Sequence, residues 1–157
     1  QDITAFNQTP AKNPIRIYSG LESADTTKAR AKLATDDLKR AGGFERKIIV
    51  VVTTTGTGWV DENGVDPIEY MYGGDSAIIS MQYSYLPSWL SFLVDQSKAK
   101  DAGIELYYSV FDEWLKLPVD KRPKLVVFGE SLGSFGSETA FSNDSVFKVT
   151  SNGAVWA

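Results

Sequence analysis

Apolar and polar residues alternate along this chain in two periods, one typical of strands and one typical of helices. The continuous β-branched run at 47–52 predicts a strand that is buried on both faces of a parallel sheet. Similar runs predict strands at 77–83 and 124–128, and short apolar stretches predict two more at 15–18 and 153–157. We therefore expect an α/β fold with a mostly parallel sheet.

Helical spacing of apolar residues appears between these strands. The pattern predicts a helix from Ser23 or Asp25 to Arg40, which the Gly42–Gly43 pair would end. Further helices are predicted at 67–72, 88–117 and 134–141. Residues 1–14 read as a polar leader punctuated by Pro10 and Pro14, so the sequence predicts flanking helices around one sheet.

Composition excludes several classes of function. The 157 residues carry a net charge of −4, so the chain offers no basic field for nucleic acid. Cysteine and histidine are both absent, so neither disulfides nor a structural zinc site is expected, and we predict no metal and no cofactor. No apolar run is long enough to span a bilayer.

A serine between two glycines carries the most specific chemistry. Gly129-Glu130-Ser131-Leu132-Gly133 follows the predicted strand at 124–128 and precedes a predicted helix, which is the context of a nucleophile on a sharp strand-to-helix turn. The flanking glycines allow strand and helix to approach closely. Glu130, the variable position of the turn, is predicted to be structural or to line a pocket. Ser131 is therefore the predicted nucleophile, although no histidine is present to serve as its base.

A second small-residue loop follows the strand at 47–52. Backbone amides of Thr54, Thr55 and Gly56 are the candidates to pair with the Leu132 amide in an oxyanion hole. A dinucleotide fingerprint fails here, because its third glycine would fall on Asp61. An ordinary glycine-rich connection is the alternative.

Aromatic residues lie near the predicted ends of two strands. Tyr83, Tyr85, Trp89 and Trp59 are expected to be mostly core residues. Trp59 and Tyr85 are also candidates to border an acyl pocket, since they follow predicted strands closely.

The chain resembles an actinobacterial α/β-hydrolase family whose catalytic domain follows a multi-span membrane region. The similar segments are 14–21, 51–60, 83–95 and 128–138. The resemblance implies that residues 1–157 form the N-terminal part of one α/β-hydrolase catalytic domain, stopping after the nucleophile turn. It also implies a Ser-His-Asp triad with Ser131 as nucleophile and with the histidine and acid outside this chain.

What the resemblance implies about function is a serine esterase or lipase-like activity. The substrate would be a small-molecule or lipid acyl ester, and the parent protein would lie in the cell membrane or cell envelope. The 157 residues alone would be inactive for want of a histidine. An acyltransferase on the same serine turn and a non-catalytic, hydrolase-like binding module are the alternatives.

Overall fold

A computed structural model describes residues 2–55, 57–86, 96–129 and 152–156 of the chain. Five strands lie within these ranges: β1 (Ile15–Ser19), β2 (Ile48–Thr53), β3 (Ser76–Met81), β4 (Lys124–Gly129) and β5 (Gly153–Trp156). The α-helices within them are α1 (Asp2–Asn7), α2 (Thr27–Arg40), α3 (Glu62–Met71) and α4 (Gln96–Leu115). The predicted helix at 134–141 and the first part of the one at 88–117 lie outside the described residues.

The five strands form one sheet in the order β1-β3-β2-β4-β5, and every neighbouring pair is parallel. This confirms the predicted α/β fold with a mostly parallel sheet and flanking helices. β2 and β3 are buried at every position, as expected for strands covered on both faces.

Helices cover both faces of the sheet. Alternate residues of each central strand point to opposite sides, so β2 contributes Ile49 and Val51 to one core and Val50 and Val52 to the other. α2 and α4 pack on the first face, and α3 packs on the second. α2 connects β1 to β2 in one direction along the sheet, and α3 connects β2 back to β3 in the opposite direction. Two right-handed crossovers that run in opposite directions place their helices on opposite faces of the sheet.

The ends of α2 follow from local capping. Its N-cap is Thr26, whose hydroxyl accepts a hydrogen bond from the Ala29 amide at 3.1 Å, so the helix begins slightly later than predicted. After the helix, Gly42 adopts a left-handed conformation with φ of 79°, which ends the helix where the Gly42–Gly43 pair predicted.

Two helices differ from the sequence prediction. α3 begins at Glu62 and not at Pro67, because the Asp61 side chain accepts from the Asn63 amide at 3.0 Å and caps the helix there. α1 lies within the segment read as a polar leader. Its Phe6 ring meets the Tyr70 ring of α3 edge to face at 5.3 Å, so packing on α3 accounts for a helix that periodicity did not reveal.

Candidate functional site

The carboxyl ends of β2 and β4 lie side by side in the middle of the sheet. From β2 the chain moves to β3 on one side, whereas from β4 it moves to β5 on the other side. Such a reversal of direction is the place where open α/β sheets bind ligands. The last residues of the two strands, Thr53 and Gly129, are direct partners in the parallel register.

The segment 129–133, predicted to form the serine turn, begins at the last residue of β4. Gly129 is the last residue of β4, and Ser131 follows it by two positions. Glu130, Ser131 and Leu132 lie outside the described residues, as does Gly56 of the loop after β2. The proposed roles of these four residues therefore stay predictions.

The loop after β2 is closed by its own hydrogen bonds. The amide and the hydroxyl of Thr55 both donate to the Trp59 carbonyl, at 3.1 and 3.2 Å. The Gly58 amide donates to the Thr55 carbonyl at 2.9 Å. Thr54 is 1% exposed, and its hydroxyl donates to the Met81 carbonyl of β3 at 3.2 Å, which anchors the start of the loop to the sheet.

Gln82, directly after β3, ties this loop to its neighbours. Its side-chain nitrogen donates to the carbonyls of Thr57 at 3.2 Å and Ser84 at 2.9 Å. Its side-chain oxygen accepts from the Leu21 amide and the Tyr18 hydroxyl, each at 3.2 Å. One side chain therefore joins the segments that follow β1, β2 and β3. The sequence pattern does not predict this role of Gln82, because the only local signal is a polar residue at the end of a buried apolar strand.

Gly58 allows the loop to lie against this side chain. Its φ of 87° is left-handed, and a Cβ built there would lie 2.5 Å from the Tyr18 hydroxyl oxygen and 2.8 Å from Gln82 Cγ. A side chain at position 58 would therefore push the loop away from β1 and β3.

The aromatic residues divide between core and surface. Tyr83 is 3% exposed and belongs to the core, as predicted. Trp59 and Tyr85 are 57% and 61% exposed, so the expectation that they are core residues was wrong. The cause is their position in loops beyond the strand ends. Trp89 lies outside the described residues.

A small cavity opens beside Trp59. Its volume is about 240 Å³, and it lies between the start of α3, the loop after β2 and the strands β1 and β3. Its apolar lining comes from Ile17, Trp59, Val60, Val65 and Ile78. Trp59 lines this cavity and Tyr85 does not, and the acyl-pocket roles of both residues stay predictions.

Two tyrosine hydroxyls at this edge of the sheet hold their protons more strongly than usual. Burial raises the pKa of Tyr18, whose hydroxyl donates to Gln82. A side-chain hydrogen bond with Glu22 is the main cause that raises the pKa of Tyr85.

Among the described residues, no group of three or more acidic side chains is arranged to hold a metal ion. Within the same ranges, no helix has the length and apolar character needed to cross a membrane.

Comparison with known proteins shows the family to which the chain belongs. The model of an alpha/beta-hydrolase family matches residues 15–157, which is nearly the whole chain, and the chain therefore belongs to that family. No curated protein and no solved structure matches it significantly.

Proposed function

We propose that this member of the alpha/beta-hydrolase family is a serine ester hydrolase with Ser131 as its nucleophile. The observation that carries the proposal is the pairing of Thr53 with Gly129 at the carboxyl edge of the sheet. This register puts the start of the serine turn beside the start of the loop after β2. A nucleophile and an oxyanion-binding loop need that proximity.

The proposed reaction is acyl transfer through a covalent intermediate. The Ser131 hydroxyl oxygen bonds to the carbonyl carbon of the ester, and its proton passes to a histidine. The carbonyl oxygen becomes an oxyanion, which the Leu132 amide and an amide of the loop after β2 stabilise. The intermediate then expels the alcohol, which takes the proton from the histidine, and water later releases the acid from the acyl-enzyme.

In this proposal, the second oxyanion donor is the backbone amide of Thr54 or that of Gly56. The Thr55 amide already donates to the Trp59 carbonyl at 3.1 Å, so it serves the loop's own structure. The amides on either side of it remain the candidates from the predicted set. Trp59, beside the small apolar cavity, is proposed to contact the acyl group.

The histidine and the acid of the triad are proposed to come from outside these residues, because the chain contains no histidine. The resemblance supports a parent protein of an actinobacterial cell envelope in which a multi-span membrane region precedes the catalytic domain. Its substrate would be a small-molecule or lipid acyl ester.

Turnover of aryl esters by the natural protein that carries this chain tests the proposal. We expect Ser131→Ala to lower kcat at least about a thousandfold, as loss of a nucleophile does in serine hydrolases. Ser109→Ala is the matched control. Ser109 is a residue of α4 that packs against α2, and its hydroxyl is 2.8 Å from that of Thr35. The control should retain activity.

Product analysis in the same assay separates the alternatives. Release of free acid supports a hydrolase, whereas transfer of the acyl group to an added alcohol in preference to water would indicate an acyltransferase. Equal turnover by the natural protein and Ser131→Ala would contradict Ser131 as the nucleophile, whereas no turnover by the natural protein would support the binding module.

A further inference from the structure

We infer that Gln82 is a positioning residue that holds the loop after β2 in its oxyanion-binding shape. The inference rests on the proposed function. Within the described ranges the Gln82 side chain bonds to structural partners, and it fixes the Thr57 carbonyl, which lies one residue beyond Gly56. Its effect on catalysis would therefore pass through the loop.

The orientation of the Gln82 amide is fixed by its backbone partners. A backbone N–H, that of Leu21, faces one end of the side chain and can only donate. Two backbone carbonyls, those of Thr57 and Ser84, face the other end and can only accept. The oxygen and nitrogen of the amide therefore cannot exchange places without losing three hydrogen bonds.

These contacts select glutamine over residues of similar size. Glutamate offers no donor for the two carbonyls when ionised, lysine offers no acceptor for the Leu21 amide, and methionine offers neither. The backbone of Gln82 is itself held, because its amide donates to the Ser19 carbonyl at 2.9 Å and extends the pairing of β3 with β1. The side chain is thus mounted on the sheet.

Gln82 and Thr54 together anchor both ends of the loop to the carboxyl end of β3. Thr54 bonds to the Met81 carbonyl at the start of the loop, and Gln82 bonds to Thr57 near its end. An oxyanion donor has its full effect only when the amide lies within hydrogen-bond distance of the developing charge. When the bond from Gln82 is lost, Thr57 can move more freely. The proposed donor amide beside it then spends less time within hydrogen-bond distance of the oxyanion.

Kinetics of Gln82→Met in the natural full-length protein test the inference. We expect kcat to fall about tenfold while KM stays within about twofold, because the oxyanion donor acts on the transition state, whereas Trp59, the proposed acyl contact, is held by Thr55 and not by Gln82. Affinity for an alkylboronic acid, which forms a tetrahedral adduct with a nucleophilic serine, should fall by a similar factor. Gln82→Glu should behave like Gln82→Met.

Asn7→Leu is the matched control. The Asn7 side chain also donates to a backbone carbonyl, that of Tyr70 at 2.9 Å, but it joins α1 to α3 away from the carboxyl edge of the sheet. It should leave kcat and boronate affinity unchanged. An unchanged kcat in Gln82→Met, or an equal fall in kcat in Asn7→Leu, would overturn the inference.

Amide hydrogen exchange gives a readout that does not depend on ester turnover. Exchange in segment 54–59 should become faster in Gln82→Met and stay unchanged in Asn7→Leu. If the natural protein shows no Ser131-dependent turnover, the proposed function fails, while faster exchange still supports Gln82 as the anchor. Unchanged exchange in Gln82→Met would overturn the anchoring role whatever the activity.

Discussion

Gly58 is a residue at which backbone conformation and packing both exclude a side chain. We expect Gly58→Ala to destabilise the fold by about 1–3 kcal/mol, since a left-handed alanine is strained and its Cβ would meet Tyr18 and Gln82. Ester turnover should fall as well, because the loop after β2 would be displaced. Denaturant unfolding and turnover of the natural protein measure the two effects.

Gly20→Ala provides the comparison for Gly58→Ala. Gly20 has an ordinary φ of −70°, and the nearest atom to a Cβ there is the Ser23 hydroxyl oxygen at 3.7 Å. This variant should be nearly neutral in both measurements. Similar losses at positions 58 and 20 would contradict the argument from close approach.

Residue types at local spacing predict the serine turn, but they do not predict the side chain that holds the neighbouring loop. The Gly-x-Ser-x-Gly pattern behind a β-branched run can be read within ten residues. Gln82 contacts Tyr18 and Leu21, which precede it by more than sixty residues, so no local sequence pattern predicts its role. The exposure of Trp59 was equally hidden, because it depends on the loop's internal hydrogen bonds.

Arg16 joins β1 to α3 at the scale of elements. Its guanidinium donates twice to Glu69, at 2.7 Å each, and once to Asp66 at 2.9 Å. The Glu69 side chain is only 3% exposed, whereas that of Arg16 is 54% exposed. Arg16 therefore compensates a carboxylate that the fold has removed from water.

We expect Arg16→Met to lower the free energy of unfolding by about 1–2 kcal/mol, because Glu69 would be left buried without its partner. The half-exposed position of Arg16 keeps the loss below that of a fully buried pair. Lys32→Met is the control, since it removes only the exposed pair with Asp36, and it should cost less than about 0.5 kcal/mol. Equal losses in urea unfolding would refute this account.

Elements with strong periodicity were predictable, and elements decided by contacts were not. The buried strands β2, β3 and β4 follow from continuous apolar runs. The first half of α3 was missed because Asn63 and Gly64 are poor helix formers, while the Asp61 cap and burial of Val65 favour the helix there. α1 depends on its contact with Tyr70, which sequence spacing does not encode.

At the scale of the whole molecule, the chain carries the proposed nucleophile Ser131 but contains no histidine. We expect residues 1–157 alone to show no Ser131-dependent multiple turnover of an activated aryl ester, because no histidine is present to take the serine proton. A natural protein that supplies the proposed histidine should turn over the same ester. Steady turnover by the isolated chain that is lost in Ser131→Ala would contradict the proposed division of the triad.

The central claim is that Ser131 is the nucleophile at the adjacent carboxyl ends of β2 and β4. Its most direct test is treatment of the natural protein with a fluorophosphonate, followed by mass spectrometry of the proteolytic peptide that contains residues 124–138. We expect one phosphonyl group on Ser131, and no label on this peptide in Ser131→Ala. A label on another residue, or an unlabelled protein that still hydrolyses esters, would contradict the claim.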